Sequence, residues 1–221
     1  MKAVLWDMDG TLVDSEKLWE VALHALYGRL GGILTPDVRA STVGASAEDA
    51  MRIVYTDLGR ELDPARMAAS IDWLHDHTAE LFAQGLPWRD GARELLDELC
   101  AERVPMALVT NTRRSLTERA LESIGAHYFS VVVCGDDVAR GKPAPEPYLR
   151  AAADLGTLPA QCLAIEDSVT GAAAAESAGC PVLVVPNDVP VPQTARRRQV
   201  ASLAELDMCR LQAIHAELQG S

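Results

Sequence analysis

Asp7-Met8-Asp9-Gly10-Thr11-Leu12-Val13-Asp14-Ser15 follows directly on the apolar run Ala3-Val4-Leu5-Trp6. Four apolar residues in succession suit a parallel strand buried on both faces. That strand ends on two carboxylates one residue apart, then on a glycine and a hydroxyl residue. Open α/β sheets bind their ligands at the carboxyl ends of strands. Two acids so close repel each other unless a cation sits between them, and a hard ion such as Mg²⁺ would serve. Gly10 lets the chain turn sharply without a Cβ penalty. An Asx-type turn closing the strand accounts for the same residues. The stretch therefore reads in two ways until the rest of the chain is set beside it.

Downstream, residues 15–86 carry helical periodicity and no convincing strand pattern. Leu18, Val21, Ala22, Ala25 and Leu26 share one helix face; Ala50, Ile53, Val54 and Leu58 share another. A third helix opens at Asp63-Pro64, an N-cap followed by proline at the first helical position. The segment 86–91, Leu-Pro-Trp-Arg-Asp-Gly, marks a connection. Beyond it helix and strand alternate: helices over 92–101, 116–124, 145–155 and 172–179, strands over 104–110, 129–134, 162–165 and 181–185. A last amphipathic helix is expected over 203–218, and the loop 186–198 is the least structured stretch. Such alternation implies right-handed βαβ units and a parallel sheet covered on both faces. The expected class is α/β: a Rossmann-like parallel sheet with helices on both faces and an inserted all-helical cap domain. Residues 1–14 and 87–221 form the core and 15–86 the cap.

The chain has 221 residues, enough for a substantial core, and a net charge of −12. That acidity argues against nucleic acid as a partner, because phosphate binding needs a basic face. Arg196-Arg197-Arg198 is the one basic cluster and reads as a solvated turn. Five cysteines without C-x-x-C spacing point to a reducing compartment. With no signal-peptide pattern and no apolar run of membrane-spanning length, a cytoplasmic protein is expected. It should make no membrane contact and be a monomer, with a dimer as the alternative.

Three more strand ends carry chemistry, on the same sheet edge as Asp7 if the topology holds. Thr110-Asn111 ends one strand before a helix, where a hydroxyl and an amide can bond an anionic oxygen or simply cap. Lys142 stands between Gly141 and Pro143 in a chain whose only other lysines are Lys2 and Lys17. On so constrained a backbone it suits neutralising a phosphate and an acidic nucleophile together, though a solvated surface lysine is the plainer alternative. Glu166-Asp167 ends another strand before Ser168; capping explains one acid but not two. These acids and Asp7/Asp9 could complete an oxygen shell around Mg²⁺.

Together and in this order, these motifs resemble the haloacid dehalogenase superfamily, in its β-phosphoglucomutase/phosphatase-like branch with a helical cap. The resemblance rests on D-x-D-G-T-L-x-D-S at 7–15, Thr110-Asn111, D-D-V-x-x-G-K-P-x-P at 136–145 and E-D-S-x-x-G at 166–171. It implies that Asp7 is the nucleophile, Asp9 the general acid–base, and Thr110 and Lys142 further catalytic residues. Thr110, Asn111 and Lys142 would bind phosphate. Mg²⁺ would be held by Asp7, the backbone carbonyl of Asp9 and Asp167, with Glu166 in support. The implied activity is that of a Mg²⁺-dependent phosphatase, hydrolysing a small phosphorylated metabolite, most naturally a sugar phosphate, through an aspartyl-phosphate.

The chain departs from the mutases of that branch. Trp19 stands where they carry a histidine, and Val43 and Ala47 where they carry a lysine and an arginine. Those basic groups help hold a second phosphate, so their absence favours hydrolysis over β-phosphoglucomutase-like transfer. Trp19, Gly44 and Ser46 are the candidate substrate contacts, Trp19 having packing within the cap as its alternative role. A non-catalytic metabolite-binding module is the remaining alternative, and it would have no need of Asp9.

Overall fold

The computed structural model describes residues 1–42, 45–187 and 189–219. Strand β1, Ala3–Trp6, is wholly buried and lies inside a six-stranded sheet. The other strands are β2 (Met106–Val109), β3 (Val131–Val133), β4 (Cys162–Glu166), β5 (Val182–Val184) and β6 (Arg197–Gln199), in the order β3-β2-β1-β4-β5-β6. Every strand pairing is parallel. Trp6 lies level with Leu108 on one side and Ile165 on the other, so Asp7, Val109 and Glu166 reach the same height. The register thus brings the ends of β1, β2 and β4 to one edge.

Alternation along β1 divides the core. Val4 and Trp6 face Leu95, Leu96 and Leu99 of α5 (Ala92–Ala101) and Leu116 of α6 (Arg114–Ile124), with Leu211 and Ile214 of α9 (Met208–Gln219). Ala3 and Leu5 face Tyr148 and Ala151 of α7 (Glu146–Asp154) and Ala172 and Ala175 of α8 (Val169–Ala178). Alanines on that second face let both helices pack close to the sheet. Between β1 and α5 the chain forms α1 (Glu16–Leu30), α2 (Pro36–Thr42), α3 (Ala47–Asp57) and α4 (Pro64–Phe82). Leu26, Tyr27, Met51, Val54 and Leu74 from these helices make an apolar cluster of their own. Asp63 caps α4 as its sequence suggests, accepting from the Arg66 N–H at 2.8 Å. No helix among the described residues is long and apolar enough to cross a membrane.

Three sequence expectations change. Arg197 and Arg198, read as part of a solvated turn, belong to β6 within the loop expected to be least structured. Arg197 is buried against Glu176 at 2.7 Å, and Arg198 pairs with Glu217. An edge strand with charged residues shows no apolar alternation, which is why the pattern passes it over. The last helix begins at Met208 rather than 203: a 3₁₀ turn over Leu203–Glu205 precedes it, and Asp207 accepts from the Arg210 N–H at 2.7 Å. Helix α2 is additional, with only Thr42 of its residues buried, so it has no apolar face to read. Gly44, and with it Val43 of the expected substrate loop, lies outside the described residues.

Candidate active site

Lys142 reaches the sheet edge with its side chain almost fully buried. Its ammonium donates to Asp7 Oδ1 at 2.5 Å and to Glu166 Oε1 at 2.6 Å. Glu166 is fixed from two further directions. Tyr148 donates its hydroxyl to Oε1 at 2.5 Å, and Ser168 donates to Oε2 at 3.2 Å. Gly171 makes this possible, because a Cβ there would lie 2.0 Å from both Glu166 oxygens. The backbone of Lys142 is clamped by Asn111, whose Oδ1 accepts from its N–H at 2.8 Å while Nδ2 donates to its carbonyl at 3.1 Å. Asn111, expected to bind phosphate, spends its side-chain bonds on the lysine loop. That loop continues through a cis Lys142–Pro143 peptide.

Asp9 has different neighbours. Ser15 donates to its Oδ1 at 2.6 Å, and Thr112 and Thr110 donate to its Oδ2 at 2.8 and 3.2 Å. Three hydroxyls therefore aim the second carboxylate. Between the two acids and α1, Gly10 turns the chain at φ +83°, and a Cβ there would lie 2.0 Å from Asp167 Oδ2. This approach joins the first motif to the last.

The electrostatics are unbalanced. Asp7, Glu166 and Asp167 each offer an oxygen within 4.8 Å of the others, and the Asp9 carboxylate is outside this group. One buried cation, Lys142, faces those three acids. Burial, then the charge of Glu166, pushes Asp7 up to about 7 against the pull of Lys142. Burial, then Asp7 and Glu166, lifts Asp167 well above the usual carboxylate range. Burial alone would lower Lys142, but Asp7 and Glu166 outweigh it and hold the ammonium above its ordinary value. Asp7 Oδ2 is buried without a hydrogen-bond partner. An orphaned carboxylate oxygen among clustered acids fits a hard, oxygen-seeking cation such as Mg²⁺.

Two connected spaces open on this edge. One, about 360 Å³, is lined by Asp7, Asp9, Thr110, Lys142, Asp167 and Asn187 among others. The other, about 790 Å³, runs from Asp9 and Lys142 to Trp19, Ser46 and His75 of the helical insertion. Trp19 lines this cavity and packs edge-on against His75 and Phe82 at 5.9 and 6.4 Å. Ser46 lines it too while capping α3. The structure thus gathers Asp7, Asp9, Thr110, Lys142, Glu166 and Asp167 at one edge. Sequence reasoning passed over Thr112, Tyr148 and Asn187 and gave Ser15 no part in the chemistry. The only sequence signal for Thr112 is its place two residues after Thr110, and none marks Tyr148 as a partner of Glu166.

A model of the haloacid dehalogenase-like hydrolases matches residues 1–179. The validoxylamine A 7'-phosphate phosphatase of Streptomyces hygroscopicus subsp. limoneus is 36% identical over 181 residues, covering 80% of this chain and 82% of that protein. The phosphorylated carbohydrates phosphatase of Thermotoga maritima is 32% identical over 180 residues, covering 81% and 82%. Among solved structures, CbbY from Rhodobacter sphaeroides in complex with phosphate superposes with a TM-score of 0.83 at 25% identity, covering 96% of this chain and 99% of that one. A family model over residues 1–179 and relatives 36% and 32% identical over about four fifths of the chain leave one assignment: the chain belongs to the haloacid dehalogenase-like hydrolase family.

Proposed function

We propose that this chain is a Mg²⁺-dependent phosphatase that hydrolyses a small phosphorylated metabolite, a sugar phosphate or similar polyol ester, through an aspartyl-phosphate on Asp7. The observation that carries the reading is the buried, unpartnered oxygen of Asp7 beside Lys142 and Asp167 at the mouth of a cavity large enough for such an ester. The two relatives are named as phosphatases of validoxylamine A 7'-phosphate and of phosphorylated carbohydrates, which supports the same reading.

In the first step an Asp7 carboxylate oxygen bonds to phosphorus as the bond to the leaving oxygen breaks. Asp9 gives its proton to that leaving oxygen. In the second step Asp9 takes a proton from water as the water oxygen bonds to phosphorus. The bond to Asp7 breaks, releasing inorganic phosphate and restoring both acids. Lys142 offsets negative charge on both Asp7 and the phosphoryl group, and Thr110 orients the phosphoryl oxygens. Mg²⁺ held by Asp7, Asp167 and the Asp9 backbone carbonyl, with Glu166 supporting through Lys142, would supply the remaining positive charge at the transferring group. Residues 15–86 act as the cap that excludes water and reads the leaving group.

Phosphate release from 4-nitrophenyl phosphate and from a panel of phosphorylated metabolites tests this. Activity that requires Mg²⁺, disappears with chelator and is lost in Asp7→Asn is the expected result. No release from any member of the panel in the presence of Mg²⁺ would overturn the reading.

A further inference from the structure

The cavity of about 790 Å³ beyond the reacting end has a charge balance of its own. Its charged lining residues, Asp9 and Lys142 aside, are Glu16, Glu48, Asp136, Arg39 and Arg113, three acids against two guanidinium groups. Both guanidinium groups already face carboxylates, Arg39 keeping one buried Nε without a hydrogen-bond partner, 3.9 Å from Glu20. Arg39 donates to Glu16 Oε2 at 2.5 Å, to the Glu16 carbonyl at 3.3 Å and to Thr42 at 3.5 Å, and its side chain is 15% exposed. Arg113 pairs with Asp72 of α4 at 3.1 Å. His75 contributes no charge at neutral pH, since burial and Arg113 hold its ring below the ordinary histidine range. Between these groups the wall is apolar, formed by Trp19, Leu23 and Leu74.

Resting on the phosphatase reading above, we infer that the enzyme selects monophosphate esters whose leaving group carries no second anionic group, and that the Glu16–Arg39 pair enforces this selection. A carboxylate or second phosphate entering the cavity would meet three acids and find Arg39 neutralised by Glu16. To gain Arg39 as a partner it must displace a short, largely buried ion pair. A neutral ring polyol meets no such opposition. Its C–H faces lie against the indole of Trp19, and its hydroxyls can bond the charged pair without breaking it. The selection is therefore built chiefly from repulsion.

The inference is tested with two nearly isosteric esters, 4-carbamoylphenyl phosphate and 4-carboxyphenyl phosphate, which differ by one negative charge on the leaving group. A second matched pair is fructose 6-phosphate and fructose 1,6-bisphosphate. Steady-state kcat/KM is measured in Mg²⁺ for the native enzyme, Glu16→Gln and Arg39→Met. The native enzyme should prefer the uncharged leaving group at least fivefold, with the difference expressed in KM. Glu16→Gln, which removes the nearest carboxylate from Arg39 and leaves only Glu20 at 3.9 Å, should shrink that preference at least threefold; Arg39→Met, which leaves Glu16 unopposed, should widen it. Each preference is a ratio within one protein, so a reduced folded fraction cancels, and Arg39→Met stands if Glu16→Gln fails to fold. A smaller or reversed preference in the native enzyme, or ratios unmoved in the folded variants, would overturn the inference while leaving the phosphatase reading intact. Absence of phosphate release from all four esters would overturn both.

Discussion

Tyr148 donates its hydroxyl to Glu166 across 2.5 Å, so the acid that holds Lys142 is itself held from behind by α7. Tyr148 is fully buried, and burial with the nearby Glu166 charge keeps its phenol protonated far above the usual range. Removing only the hydroxyl, in Tyr148→Phe, leaves a buried carboxylate short of one charge-assisted bond, at a cost of about 2 kcal/mol. Urea denaturation should show that loss. The turnover number should fall several-fold while KM changes little, because Lys142 loses its alignment and the cavity is untouched.

Three acids around one cation make the metal-free protein sensitive to pH. Asp7 rises from 3.8 to about 7 on folding, through burial and then Glu166. A carboxyl raised in the folded state contributes stability that is present in full below its unfolded value and lost as pH climbs through the folded one. In chelator, the melting temperature should therefore fall between pH 4 and pH 7, a window in which most carboxylate-stabilised proteins hold steady. Asp7→Asn should flatten this decline and melt above the native protein at pH 7 without metal. Added Mg²⁺ should raise the native melting temperature by several degrees and the variant's by less. Differential scanning fluorimetry across pH, with and without metal, reads all three outcomes.

Close approach at Gly171 gives a steric prediction. A Cβ at that position falls 2.0 Å from both Glu166 oxygens, so Gly171→Ala must expel the carboxylate and break its ion pair with Lys142, leaving Asp7 as the ammonium's partner. Breaking a buried pair in this way costs about 3 kcal/mol. Gly28, inside α1, has no neighbour within 4 Å of the same added atom. There the alanine variant should gain about 0.5–1 kcal/mol from the smaller entropy loss. Chemical denaturation of the two variants should move in opposite directions.

Asp9 is held by the hydroxyls of Ser15, Thr110 and Thr112, each able to reorient toward an amide. Asp9→Asn should therefore fold with a melting temperature within a few degrees of the native protein. Its rate of phosphate release should nevertheless drop by about 10²–10⁴, the scale of general acid–base catalysis. A slow variant that accumulates acid-stable phosphate on the protein would assign the defect to the hydrolytic step, and stopped-flow release kinetics would separate it from the first.

How much could be read from the chain alone differs from residue to residue. Asp7, Asp9 and Asp167 stand out because charged residues directly after apolar strands have no packing reason to be there, and Lys142 because it stands between Gly141 and Pro143 in a chain with only two other lysines. Tyr148 and Thr112 do not stand out. A tyrosine at a helix position that also suits burial looks like core, and a threonine near a helix start looks like a cap. Asn111 shows the reverse case: an amide at a strand end suggests an anion ligand, and only the fold reveals the Lys142 backbone within its reach. Strand β6 went unread because Arg197 and Arg198 satisfy their charges on Glu176 and Glu217, partners about 20 residues away along the chain.

Local pattern along the chain already carries the layered α/β class, the run of helices after β1 and the order of the acidic strand ends. Those features follow from local periodicity and from residue chemistry that neighbours along the chain already express. Which acid faces which base emerges on folding. Sharing one buried ammonium between Asp7 and Glu166, aiming Asp9 with three hydroxyls and tying Arg39 to Glu16 all depend on distances across the sheet edge and the insertion. Electrostatic strength inside a protein is set by separation and burial, and neither is written in the spacing of residues along a chain.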